Sequence, residues 1–115
     1  MRPETIQLAG RLLQCHAAIR ATRTPATVTP KDLIPYGKLC DDVGLSFLTR
    51  GVGPFLGELA QWCYDHGLPP LNSLAINAEE LKPGPGYDDA AGCSEITWWK
   101  EVQACVAAQY PARIP

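Results

Sequence analysis

Apolar residues recur at helical spacing in several stretches of this chain, and the segments between them are crowded with proline, glycine and threonine. In residues 3–22, Leu8, Leu12, Cys15 and Ile19 return at intervals of three and four, with Ile6 and Leu13 widening the stripe. That period puts them on one face of an amphipathic helix and turns Arg11 and Arg20 toward solvent. Pro3 suits the first turn, where a missing N–H costs nothing. The run Thr22 to Pro30 ends the helix, because its threonines and prolines favour extended or turn backbone.

A second helix is predicted over residues 36–43, with Leu39, Cys40 and Val43 inward and Gly44 as a left-handed stop. Ser46 offers an N-cap for a third, longer helix over residues 47–66. Its apolar positions run Phe47, Leu48, Val52, Phe55, Leu56, Leu59, Ala60, Trp62 and Cys63. Gly51, Gly53 and Gly57 lower its propensity, and Pro54 either kinks it or marks a late start. His66-Gly67-Leu68-Pro69-Pro70 closes it by a glycine-then-proline stop. Leu71 to Asn77 is short, apolar and bounded by breakers, which predicts a strand. Lys82-Pro83-Gly84-Pro85-Gly86-Tyr87 is a loop. A last helix is capped by Ser94, docks through Trp98, Val102, Cys105 and Val106, and stops at Pro111.

The expected fold is therefore mostly α (α+β) in one domain, residues 1–115. It divides into a helical N-terminus at 3–22, a helix-turn-helix at 35–66, a strand and Pro/Gly loop at 71–87, and a C-terminal helix at 94–110. A chain of 115 residues with 46% hydrophobic content can bury a core without staples.

Charge changes the picture more. The formal net charge is -2, whereas affinity for nucleic acid comes largely from neutralising phosphates. That balance argues against a tight, general DNA binder. The charges are uneven, however. Before Gly53 stand Arg2, Arg11, Arg20, Arg23, Lys31, Lys38 and Arg50 against Glu4, Asp32, Asp41 and Asp42, so a locally positive face is allowed. The cysteines (Cys15, Cys40, Cys63, Cys93, Cys105) are odd in number and widely spaced, which fits a reducing compartment and neither a zinc knuckle nor a redox pair. No signal-peptide pattern and no membrane-length apolar run is present. The expected location is cytoplasmic, without a membrane partner.

The most informative constellation is Ile34-Pro35-Tyr36-Gly37-Lys38-Leu39-Cys40, then Arg50-Gly51-Val52-Gly53, Leu68-Pro69-Pro70 and Gly84-Pro85-Gly86-Tyr87. In order and approximate spacing, over roughly residues 34 to 90, it resembles the DNA-binding domain of the alkylguanine-DNA alkyltransferases and alkyltransferase-like proteins. The resemblance implies a winged-helix-like helix-turn-helix with one short strand or small β element and a C-terminal helix. It implies double-stranded DNA as partner, approached through the minor groove, with Arg50 inserting and Tyr36 on the phosphate side. Gly51 and Gly53 would let the helix approach the duplex, with Lys38 and Tyr87 completing the surface. The family's Pro-Cys-His-Arg acceptor motif is absent: Pro70-Leu71-Asn72-Ser73 stands there, without thiolate or histidine for alkyl transfer. No catalytic residue, metal or cofactor is assigned.

Each feature also has a plainer reading. Arg50 can be an ordinary solvated arginine, and Tyr36 a core aromatic with its hydroxyl at the surface. Cys63 and His66 lie one turn apart but have no second ligand pair nearby, so a core thiol and a helix-end histidine account for them. The acid pairs Asp41-Asp42, Glu79-Glu80 and Asp88-Asp89 read as solvated surface. Trp98 and Trp99 cannot both face the core of one helix, so one can serve as an exposed anchor.

Two functions follow. The first is a non-enzymatic nucleic-acid-binding winged-helix module using the helix around Arg50. The alternative is a small acidic protein-binding accessory or inhibitor, of a phage or mobile-element anti-defence type, docking through Trp98 or Trp99 on a nucleic-acid-handling complex. Oligomeric state is not legible from the sequence.

Overall fold

A computed structural model of the chain describes residues 1–84 and 95–115. It is mostly helical, with a two-stranded parallel sheet and a C-terminal helix. Helix α1 spans Pro3–Thr22, with Pro3 in its first turn, Glu4 at the positive end and Arg20 at the negative end of its dipole. It buries Thr5, Leu8, Ala9, Leu12, Cys15, His16 and Ile19. Ile6 is not on this face as expected: it is exposed, and the stripe turns instead through Thr5 and His16.

After α1, Thr27 caps a turn at Thr24, accepting its N–H at 2.8 Å. The Asp32 carboxylate accepts the Thr29 N–H, also at 2.8 Å, to hold a single 3-10 turn, Pro30–Asp32. Strand β1, Ile34–Pro35, follows and leads directly into helix α2, Tyr36–Asp42. Gly44 takes φ +74, the left-handed stop that glycine tolerates.

The third helix departs from expectation. Instead of one helix over residues 47–66, the chain forms a 3-10 segment, Ser46–Gly51, and then helix α3, Gly53–Asp65. Ser46 does not cap a helix; its hydroxyl bonds the Asp41 carboxylate. Pro54 gives a physical reason for the break. It has no N–H to give the carbonyl four residues back, and its ring would strike that carbonyl, so a straight α-helix does not run through it. In the first turn it fits, and there α3 begins. Gly67, at φ +68, follows the end of α3.

The expected strand at 71–77 is shorter than its apolar run. Leu71–Leu74 is a 3-10 turn, and only Ala75–Ile76 forms strand β2. Residues 71 to 76 are all buried, so no solvent face imposed an alternation that would distinguish strand from buried turn. Ile34 pairs with Ala75 and Pro35 with Ile76, in parallel. Parallel pairing needs a long crossover, and α2 with α3 supplies it. Asn77 then bridges Lys82 in antiparallel fashion.

Helix α4, Glu95–Ala107, buries Trp98, Val102, Cys105 and Val106. Its expected cap Ser94 lies outside the described residues. It ends at Ala107, short of residue 110, and α1 supplies donors to carbonyls at its C-terminal end. His16 Nε2 sits 2.8 Å from the Cys105 carbonyl and 3.1 Å from that of Ala108, to which Arg20 also donates at 2.9 Å. Leu8, Leu12, Leu39, Leu59, Leu71, Leu74, Ile76 and Val102 fill the centre, each essentially without solvent contact.

Candidate nucleic-acid interface

The residues singled out in sequence come to two neighbouring places. Tyr36 and Lys38 occupy the first turn of α2, while Arg50, Gly51 and Gly53 occupy the 3-10 segment and the start of α3. The two places touch: a Cβ on Gly37 would lie 4.0 Å from Thr49 Cγ2. Tyr87 lies outside the described residues.

Arg50 stands on the 3-10 segment and not on a long recognition helix, which corrects the sequence-based expectation. In a 3-10 turn side chains three residues apart eclipse one another, giving the segment three edges. Leu45 and Leu48 form the inner edge, half-buried against the core. Ser46 and Thr49 form a second, where the Thr49 hydroxyl donates to the Ser46 carbonyl at 2.8 Å. Phe47 and Arg50 form the outer edge. Phe47 is 79% exposed, the most exposed of the large apolar side chains described. Sequence periodicity had put it inward. Pro54 and the flanking glycines were the signal that the helical register does not extend back so far.

Arg50 is exposed, and its guanidinium has no ion-pair or hydrogen-bond partner among the described residues. Most nearby cations are committed. Arg11 Nε lies 2.8 Å from the Asp42 carboxylate and Lys38 Nζ 3.1 Å from it, and these two contacts hold the Asp42 carboxyl below the usual carboxylate range. Arg2 pairs with Glu58 at 3.2 Å and rests 4.2 Å over the Phe55 ring. Lys38 is thus exposed but partly neutralised. Gly51 and Gly53 are exposed, with open space where a side chain would be. They leave the flank of Arg50 flat enough for another backbone to approach.

Tyr36 is half-buried, and its hydroxyl accepts the Gly84 N–H at 3.0 Å. This ties the start of the Pro/Gly loop to the N-terminus of α2. Gly86 and the rest of the expected wing lie outside the described residues.

Of the two candidate tryptophan anchors, Trp98 belongs to the core. Trp98 is only 5% exposed and its indole N–H donates to the Ser73 carbonyl at 2.9 Å. Trp99 is half-buried and packs edge-on to Trp98, with ring centroids 5.5 Å apart. Trp98 is therefore not a docking side chain, while Trp99 keeps part of its ring at the surface.

The four thiols among the described residues all lie in the core. Cys15, Cys40, Cys63 and Cys105 are free and buried, and burial pushes each thiol above its ordinary value, Cys105 to about 11. Cys105 lies 3.2 Å from Ser73 Oγ and donates to the Pro70 carbonyl, beside the Tyr110 hydroxyl, which donates to Pro69 at 2.6 Å. His66 stacks on Trp62 at 4.0 Å and shares a hydrogen bond with its carbonyl, while Cys63 points into the core. Among the described residues, no group of three or more His, Cys, Asp or Glu could hold a metal ion, and no helix is long and apolar enough to cross a membrane.

Comparison of the chain with protein-family models, curated proteins and solved structures found no match.

Proposed function

We propose that the chain is a non-enzymatic nucleic-acid-binding module that makes contact through the turn carrying Arg50. One observation carries this reading. Arg50 projects, exposed, from the 3-10 turn between α2 and α3, without a carboxylate partner among the described residues, beside two glycines over which space is open. An arginine so placed can reach a phosphate or a groove without first breaking an internal ion pair. The resemblance of the Tyr36, Arg50 and Tyr87 segments to the alkyltransferase DNA-binding domain points the same way.

Alkyl transfer to a cysteine proceeds through the thiolate, and burial raises the pKa of each described thiol. Buried thiols that remain free suit a reducing, cytoplasmic setting.

The net charge of -2 and the ion-paired cations limit the electrostatic share of binding. With about one or two phosphates neutralised, the logarithmic salt dependence should have a slope of about -1 to -2. Fluorescence anisotropy with a short labelled duplex and a single strand, at low and physiological salt, tests the reading. Binding at low salt that drops about tenfold or more in Arg50→Ala supports it. No binding at low salt, or binding indifferent to Arg50, overturns it.

A further inference from the structure

Phe47 has no role in the function just proposed, yet its position asks for one. The chain holds two phenylalanines. Phe55 is half-buried, with the Arg2 guanidinium 4.2 Å over its ring. Phe47 is 79% exposed. Core packing does not require it outward, since Leu45 and Leu48 already anchor the inner edge of the same turn. The i,i+3 geometry sets it beside Arg50.

We propose that Phe47 is a stacking platform for an unpaired nucleobase, with Arg50 engaging the neighbouring phosphate, so that the turn prefers single-stranded over fully paired nucleic acid. This rests on the nucleic-acid-binding reading and deepens it. A flat ring beside a cation matches the repeating unit of a single strand, whose bases offer π-faces and whose backbone offers charge. In an intact duplex those faces are occupied by neighbouring bases, and the ring has nothing to stack on.

A protein partner fits less well. A stable protein interface needs several apolar anchors packed together over some hundreds of Å² per side. The residues that share its turn at the surface are Ser46, Arg50 and Gly51, small or polar, with Leu48 half-buried against the core.

The test measures anisotropy binding of labelled oligothymidylate and of a blunt duplex, for the native chain and Phe47→Ala, Phe47→Leu, Phe47→Trp and Arg50→Ala. Phe47 is so exposed that its replacement should leave the unfolding midpoint in urea unchanged, which separates binding from folding. The expected result is a loss of about 5- to 100-fold in strand affinity for both Ala and Leu, near-native affinity for Trp, and a change of less than about threefold on duplex. Leucine matters because it keeps the apolar bulk and removes the ring. Equal losses on strand and duplex, full strand affinity in Phe47→Ala, or full affinity in Phe47→Leu would each overturn the stacking assignment. These outcomes differ from failure of the underlying reading, in which Arg50→Ala has no effect on either ligand.

Discussion

Arg50 stands four residues before Pro54, and that spacing keeps it off helix α3. In a continuous helix the Arg50 carbonyl would take the N–H of residue 54. Proline has none, and its ring collides with that carbonyl. The chain instead makes the 3-10 segment Ser46–Gly51, from which Arg50 and Phe47 project.

Removing the block should therefore move the arginine. Gly51 and Gly53 do not use left-handed backbone and have open space where a side chain would go, so alanine fits at both. In Gly51→Ala/Gly53→Ala/Pro54→Ala, helix should extend back through Arg50. Cα chemical shifts for residues 49–53 should become α-helical, and Arg50-dependent binding should weaken. Unchanged shifts would show that tertiary packing of Leu45 and Leu48, and not Pro54, defines the turn.

This position also shows how far the sequence could be read. Helix α1, helix α2 and the stops at Gly44 and Gly67 were legible, because local period and local backbone preference agree there. The long third helix was not, since apolar period alone ran through Phe47 while one proline decided otherwise. Residues 71–76 were ambiguous for another reason: a run buried on every side carries no period. The exposure of Phe47 and the burial of Trp98 depend on which elements pack where, and no local pattern encodes that.

His16 should make stability pH-dependent. Burial lowers its pKa from the ordinary 6.5, so the folded state favours the neutral ring. The unfolded chain then binds more protons, and stability falls as pH drops below about 6.5 until the folded-state pKa is passed. Urea unfolding at pH 7.5, 6.5 and 5.5 should show that decline, and His16→Gln should flatten it. His16→Ala should also cost about 1–2 kcal/mol at neutral pH, because the Cys105 carbonyl loses one of its two partners, keeping the Ala108 N–H. A slope that survives in His16→Gln would locate the sensitive group elsewhere.

Trp98 should behave as core. Trp98→Phe removes the N–H bond to the Ser73 carbonyl and part of the ring, at about 1–3 kcal/mol. Trp98→Ala should cost about 3–5 kcal/mol, and Trp99→Ala less. Denaturant midpoints measure both. A mild Trp98→Ala would mean that the ring is not packed between α4 and the Leu71–Leu74 turn.

The glycines should divide by backbone. Gly10 and Gly57 lie inside α1 and α3 with nothing within 4 Å of an added Cβ. Alanine there should stabilise by about 0.5–1 kcal/mol each. Gly44 and Gly67, at φ +74 and +68, should lose about 1 kcal/mol on the same change. Thermal melts of the four single variants check the signs.

The pairing of Ile34 with Ala75 and Pro35 with Ile76 reaches beyond the two strands. It fastens together the ends of a loop of roughly forty residues that holds α2, the exposed turn and α3. Such a closure charges its entropy before it returns any contact, so the domain should fold more slowly than a helical bundle of its length. Once closed, the loop behaves as one unit. Amide hydrogen exchange within it should rise and fall with the protection of these strands, so that the turn carrying Phe47 and Arg50 keeps its shape only while the staple behind it holds.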